Sequence, residues 1–254
     1  MTPQSYSRVV ASVLVTGGSG TLGRHVVSHL KDLGHDVRVL SRSPNRGTHL
    51  GDLKTGVGVA AAMRGVDWVI HAASGRNDVV QTRTLLELMP PETKHLLYVS
   101  IVGIDAVPFG YYRQKLRCEE LITESPVVST ILRATQFHEL AARVLRALQR
   151  SPLAPLPSGF LLQPVAAREV AERLVDLLDG LPAGRSVDFG GPQVLPLSKM
   201  AEAWRLRWHR PRHFVSLPLP GRVARAFREG LNTCPLHAEG HQTWQDYLNE
   251  AGPI

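Results

Sequence analysis

The chain predicts a doubly wound α/β fold, a parallel sheet covered by helices on both faces, followed by a small C-terminal lobe. Three observations carry this reading. Apolar, β-branched runs alternate with helical patterns through the first 135 residues, at lengths that suit repeated βα units. The first run ends in a glycine-rich turn at the start of a helix. The 254 residues are 43% apolar and 20% charged, enough to bury one sizeable core. Right-handed crossovers then make the parallel sheet doubly wound.

Taken in order, residues 9–15 form an apolar, β-branched run closed by Thr16-Gly17-Gly18. Residues 22–33 carry Leu22, Val26, Val27, Leu30 and Leu33 at helical spacing. Residues 37–40 read as a second strand and 59–63 as a short helix. Residues 67–73 are a buried strand, 80–88 a helix, 95–100 a strand, 111–123 a helix and 127–132 a strand. Beyond residue 135 the regularity fades. An amphipathic helix is expected over 137–149, a Pro-rich loop over 151–159, a helix over 167–178 and a short strand over 186–189. There is no internal repeat and no low-complexity tract.

No run approaches the roughly 18 apolar residues of a membrane helix. The opening MTPQSYSRVV lacks the basic-then-apolar layout of a secretory leader. Two cysteines, Cys118 and Cys234, cannot build a disulfide framework or a cysteine-rich metal site. A reducing, cytoplasmic setting is therefore expected. The net charge of +7, carried by 24 Arg and 5 Lys, favours anionic ligands without choosing among them.

The turn after the first strand reads Thr16-Gly17-Gly18-Ser19-Gly20-Thr21-Leu22-Gly23, with Gly17, Gly20 and Gly23 spaced as G-x-x-G-x-x-G. The first glycine permits the sharp turn, the second lets a pyrophosphate approach the backbone, and the third packs helix on strand. The helix N-terminus favours the phosphate charge. Thr21 and Leu22, opening that helix, join the three glycines as candidate cofactor contacts. Residues 1–135 are thus expected to form a dinucleotide-binding domain. Residues 136–254 would form a small substrate lobe that partly completes the sheet.

At the end of the second strand an NAD site usually presents Asp or Glu to the ribose 2′-hydroxyl. Here the chain has Ser41-Arg42, with Arg46 nearby. Arg grips a 2′-phosphate bidentately, so NADP(H) is expected over NAD(H). Asp52, followed by Leu53, either accepts from the adenine amino group or makes a turn.

Residues 98–100, Tyr-Val-Ser, end a strand, and Tyr111-Tyr112-Arg113-Gln114-Lys115 opens a helix. Tyr111 and Lys115 are four apart and share a helical face. A nearby ammonium should lower the tyrosine pKa and make it a usable acid or base. Lys115 also suits a ribose hydroxyl, and Ser100 a substrate carbonyl.

The segments TGGSGTLG, GDL, YVSIVGID, YYRQK, RATQFHE and VDFGGPQV, in this order, resemble the atypical, NmrA-like branch of the short-chain dehydrogenase/reductase superfamily. The resemblance covers nearly the whole chain. It implies a Rossmann domain, a nicotinamide cofactor with NADP(H) preference, and a small substrate lobe. It maps Gly17, Gly20 and Gly23 onto the pyrophosphate loop, Arg42 onto the 2′-phosphate reader and Asp52 onto the adenine contact. Ala72 and Ala73 match the strand end beside the cofactor, and Ser100, Tyr111 and Lys115 the catalytic set. Two features depart from the pattern. Ser100 and Tyr111 are only 11 apart, and the family's Arg-Pro is Arg133-Ala134.

Phe137 and His138 fall where a substrate pocket should open; His138 is either a second acid or a polar residue at a helix start. His25 and His29 have zinc-compatible spacing but no third ligand, and read as solvent-facing. Trp204, Arg205, Arg207, Trp208, Arg210 and Arg212 read as a packed helix with an Arg face rather than a nucleic-acid surface. The expected function is an NADPH-dependent reductase acting on a small apolar carbonyl, quinone or activated alkene. Two alternatives stand beside it: a catalytically silent NADP(H)-sensing protein, and an NAD(P)-dependent epimerase or dehydratase. The expected partner is a small molecule, with no nucleic acid and no membrane, in a monomer or homodimer.

Overall fold

The structure, a computed structural model, describes residues 10–43, 47–150, 154–178, 180–209 and 213–252. From the N-terminus run β1 (Ser12–Thr16), α1 (Thr21–Asp32), β2 (Asp36–Ser41), β3 (Thr48–Leu50), α2 (Val59–Met63), β4 (Trp68–His71), α3 (Asp78–Glu87), β5 (His95–Ile101), α4 (Gly110–Glu124) and β6 (Ser129–Ala134). The second half adds α5 (His138–Leu148), β7 (Pro155–Pro157), β8 (Leu161–Leu162), α6 (Ala167–Asp176), β9 (Gly184–Arg185), β10 (Leu195–Pro196), α7 (Leu197–Arg207), β11 (Val215–Leu217), α8 (Arg222–Arg228) and α9 (Trp244–Glu250).

The main sheet has the order β3-β2-β1-β4-β5-β6-β9, parallel throughout. Val13 of β1 stands opposite Val37 of β2 on one side and Trp68 of β4 on the other. The strand order reverses there, and the crevice at the carboxyl ends of β1 and β4 is where this architecture receives a ligand. Alternate strand residues feed two cores, as the two-residue period of a strand requires. Val13, Val15, Ile70, Leu97, Val99 and Leu132 pack against α1 and α6. Leu14, Val69, Leu96, Tyr98 and Ile131 pack against α2, α3 and α4. Burial on both faces is why these strands read as nearly unbroken apolar runs.

Two short strands escaped the sequence pattern. β3 has three residues, and β9 lies at Gly184–Arg185 rather than over 186–189, where a single bridge joins Phe189 to Ala134. Part of the expected loop at 151–159 is strand: β7 pairs with β11 in a separate two-stranded sheet. Residues 151–153 of that loop, and residue 9 of the first expected strand, lie outside the described residues.

The remainder of the second half builds its own core from α5, α7 and α9, around Trp204 and Trp244. Trp244 Nε1 donates to the Met200 carbonyl at 3.1 Å. A capping box opens α9, with Asp246 N donating to Thr243 Oγ1 at 3.1 Å and Thr243 N to Asp246 Oδ2 at 3.0 Å. The Arg face of α7 is engaged within the chain: Arg205 pairs with Glu202, and Arg207 donates to the Leu248 carbonyl. Arg210 and Arg212 lie outside the described residues. A fourth cluster joins the loop after β5 to α8, with Ile104, Val107 and Tyr112 against Ala226 and Phe227. No described helix is long and apolar enough to cross a membrane.

Candidate active site

The glycine turn is held by contact with the end of β4. Gly17 has φ +70°, and a Cβ on it would stand 2.6 Å from Ala73 N and 2.7 Å from Ala72 O. No side chain fits there. A Cβ on Gly23 would lie 2.1 Å from Gly17 O, so α1 packs directly on the turn. Gly18, absent from the expected set, is also forced, because a Cβ would meet Val39 Cγ1 at 2.7 Å. Gly20 differs. It caps α1, donates its N–H to Gly17 O at 2.9 Å, and its missing Cβ would meet nothing but that oxygen, at 3.2 Å. No side chain caps α1. The N–H groups of Thr21, Leu22 and Gly23 thus begin a helix beside open space, the arrangement a pyrophosphate fits.

The other expected cofactor contacts fall around this cradle. Ala72 N donates to Thr16 O at 3.2 Å and Ala73 N to Thr16 Oγ1 at 3.3 Å, fixing the β4 end beside Gly17. Ser41 ends β2, its Oγ accepting from Ser43 N at 3.2 Å, and Arg42 after it is exposed. Arg46 lies outside the described residues. Asp52 makes the turn: Oδ1 accepts from Lys54 N at 2.8 Å. The Leu53 side chain is buried in the core.

Beneath the cradle sits His71, a residue outside the expected set. Its Nδ1 is 2.7 Å from Thr16 Oγ1 and its Nε2 3.1 Å from Thr82 Oγ1. Complete burial pushes its pKa down to about 3, so the ring is neutral and ties the ends of β1 and β4 to α3.

The Tyr111 hydroxyl meets Ser74 Oγ at 2.5 Å. Ser74 follows Ala73 and therefore adjoins the cradle. Tyr112 is buried in the cluster with Phe109 and Phe227, and Tyr111 packs against the edge of the same cluster while its hydroxyl reaches Ser74. Ser74 Oγ also donates to Asp78 Oδ2 at 3.4 Å, and Gly75 N donates to the other oxygen of Asp78. Asp78 Oδ2 lies 3.6 Å from Lys115 Nζ, and Lys115 donates to Tyr98 OH at 3.1 Å and to Val99 O at 3.3 Å. Ser74 and Asp78 were not among the expected residues. Their one sequence signal is a Ser and an Asp four apart at a strand-to-helix turn.

Several expectations are corrected here. Lys115 does not lower the Tyr111 pKa: its ammonium faces Asp78, Tyr98 and Val99, and burial raises Tyr111 above its ordinary value. Holding a ribose hydroxyl would take Lys115 from one of these partners. Ser100 is 3% exposed with its Oγ unpartnered among the described residues, and the hydroxyl that meets Tyr111 is Ser74. His138 lines no open pocket. It is fully buried, stacks on Tyr247 at 5.0 Å and lies 3.2 Å from the Gln242 carbonyl, and burial pushes it down to about 4. Phe137 is half-buried against the sheet core, with Val165 beside it. Arg133 grips Glu119 on α4 and Asp105 in the loop after β5. No metal-holding group of three or more His, Cys, Asp or Glu occurs among the described residues.

Fold and cradle together define a Rossmann-type protein of the dinucleotide-binding class. A family model described as NAD(P)H-binding matches residues 17–180. This chain belongs to that NAD(P)H-binding family. It is 29% identical, over 229 residues, to (4-alkanoyl-5-oxo-2,5-dihydrofuran-3-yl)methyl phosphate reductase of Streptomyces griseus subsp. griseus, covering 81% of this chain and 77% of that one. A shorter match, 41% identical over 69 residues, is to a 3-beta-hydroxysteroid dehydrogenase of Mycolicibacterium neoaurum, of whose length it spans 19%. Among solved structures, an NADPH-dependent quinone oxidoreductase of Escherichia coli, complexed with NADPH, aligns with a TM-score of 0.78 at 14% identity. That alignment covers 93% of this chain and 98% of that one. A short-chain dehydrogenase/reductase superfamily protein of Agrobacterium tumefaciens with bound NAD aligns at 0.74 and 19% identity, covering 94% and 95%.

Proposed function

We propose that this protein is an NADPH-dependent reductase whose substrate is a small apolar carbonyl, quinone or activated alkene. The observation that carries the reading is the place of the Tyr111 hydroxyl: it bonds Ser74, the residue that follows the two alanines touching the glycine cradle. An acid thus stands beside the groove that receives the cofactor. Bound there, the reduced nicotinamide supplies a hydride. Tyr111 gives a proton to the substrate oxygen, or hydrogen-bonds it as negative charge develops. Its raised pKa suits this direction, because at neutral pH the phenol keeps the proton it must donate. Gly17, Gly20 and Gly23, with the first turn of α1, hold the pyrophosphate. The absence of an acidic residue at the end of β2, with Ser41-Arg42 in its place, favours NADP(H) over NAD(H). The Streptomyces relative, named as a reductase, supports the same class of activity.

One observation favours a catalytically silent sensor: Lys115 is turned from Tyr111 toward Asp78 and Tyr98. Calorimetry with NADPH and NADH, then NADPH oxidation with a panel of quinones and aldehydes, decides between the two. The reductase consumes NADPH, and Tyr111→Phe abolishes the consumption. Tight binding with no turnover on any acceptor makes the protein a sensor. Arg42→Ala weakens NADPH binding roughly tenfold or more, the worth of a charge-assisted bidentate contact, and leaves NADH nearly unchanged. Equal weakening removes Arg42 from the 2′-phosphate.

A further inference from the structure

We propose that Ser74 and Asp78 form a proton relay that joins the Lys115 ammonium to the Tyr111 hydroxyl. The inference rests on the reading of Tyr111 as the acid. Three contacts set the groups in line: a hydrogen bond between Tyr111 Oη and Ser74 Oγ at 2.5 Å, one from Ser74 Oγ to Asp78 Oδ2 at 3.4 Å, and an ion pair of Asp78 Oδ2 with Lys115 Nζ at 3.6 Å, which closes to hydrogen-bond distance when the proton crosses. Lys115 lies one helical turn from Tyr111, yet its amine turns into the sheet. Asp78 and Lys115 are 2% and 4% exposed, so water has little access to that end of the chain, whereas Ser74 at the other end is exposed. A serine hydroxyl donates and accepts at once, which the middle position requires. The bond from Gly75 N to Asp78 holds the Ser74 turn on the start of α3.

The proton count closes. The substrate carbonyl carbon takes a hydride, its oxygen takes the Tyr111 proton, and Tyr111 is left as phenolate. Ser74 passes its hydroxyl proton to that phenolate and takes one from Asp78 Oδ2, which takes one from the Lys115 ammonium. Tyr111, Ser74 and the Asp78 carboxylate end as they began, and Lys115 ends as a neutral amine. When product leaves, solvent returns the proton through half-buried Tyr111 by the reverse path. Burial lowers Lys115 and raises Asp78, which narrows the gap between donor and carrier. The neighbouring titratable groups do not compete. His71 is neutral, burial holds Tyr98 and Cys118 protonated, and Glu119 is paired with Arg133.

The test begins without cofactor or substrate. The phenol absorbance of the full chain is titrated and the Tyr111→Phe curve subtracted, to isolate Tyr111. Ser74→Ala removes a hydrogen bond that favours the phenolate and shifts the Tyr111 titration upward. Asp78→Asn removes a negative neighbour and shifts it downward. Ser74→Thr restores the original curve. Ser74→Ala then lowers kcat for carbonyl reduction by roughly tenfold to hundredfold, the scale of an acid–base contribution, with KM little changed, and Ser74→Thr recovers it. An unmoved Tyr111 titration in both variants overturns the relay whatever the turnover, and so does a shifted titration with kcat intact in Ser74→Ala. Should Asp78→Asn fail to fold, the Ser74 pair carries the test alone. Coupled titrations in a protein that reduces nothing would instead remove the reductase reading.

Discussion

The Arg133 guanidinium grips the Glu119 carboxylate with two parallel bonds, Nε to Oε1 at 2.9 Å and Nη2 to Oε2 at 2.7 Å. Arg133 is on β6 and Glu119 on α4, one turn beyond Lys115. The remaining arm, Nη1, reaches Asp105 at 2.9 Å in the loop after β5. This clamp sets where α4 holds Tyr111 and Lys115 against the sheet. Both members are buried, so removal of Glu119 leaves two arms of the guanidinium unpaired and only the third on exposed Asp105. Glu119→Ala is expected to cost about 3–5 kcal/mol in urea unfolding, while Arg133→Met with Glu119→Leu restores most of that. A loss below about 1 kcal/mol in Glu119→Ala would place the anchoring of α4 elsewhere.

The glycines of the turn separate into positions closed by the fold and one, Gly20, left open. Gly23→Ala drives a methyl to 2.1 Å from Gly17 O and is expected to unfold the protein or lower its melting temperature steeply. Gly20→Val meets one oxygen at 3.2 Å, in an extended backbone that any residue adopts, and should leave the fold intact. Its side chain fills the space proposed for the pyrophosphate, so NADPH and NADH binding are both expected to fall below detection by calorimetry. Retained binding in a folded Gly20→Val protein would move the pyrophosphate away from this turn.

Acid sensitivity follows from two histidines. His71 and His138 are pushed down to about 3 and about 4, while an unfolded His titrates near 6.5. Between these values the unfolded chain binds more protons, so folding stability is full above about pH 6.5 and declines as pH falls. Each ring contributes a slope of up to about 1.4 kcal/mol per pH unit. His71→Gln should flatten the unfolding free energy against pH, measured from about pH 6 to 4.5, by close to one proton. An unaltered slope would mean that other groups carry the acid response.

The sheet and the cradle were legible in the sequence, and the chemistry around Tyr111 was legible in part. Strands buried on both faces declare themselves as apolar runs, and the spacing of Gly17, Gly20 and Gly23 marks the turn. Tyr111 and Lys115 were readable as a pair from helical spacing, but not the direction of the amine, which turns toward Asp78 and Tyr98. Ser74 is 37 residues from Tyr111, and Glu119 and Arg133 are 14 apart on different elements. No local period reports such contacts. β3 and β9, at three and two residues, are too short to show any period. His138 gave a pattern equally compatible with a site and with a core; Trp244 and Tyr247, more than a hundred residues on, close over it.

By themselves these 254 residues establish a parallel sheet with a glycine-rich turn after its first strand, since hydrophobic period and glycine spacing are local properties of the chain. The folded arrangement assigns partners: Ser74 to Tyr111, Asp78 to Lys115, Glu119 to Arg133. Those pairings depend on how helices settle on the sheet and on which charges are cut off from water. Such distances arise from packing in three dimensions, and no stretch of neighbouring residues encodes them.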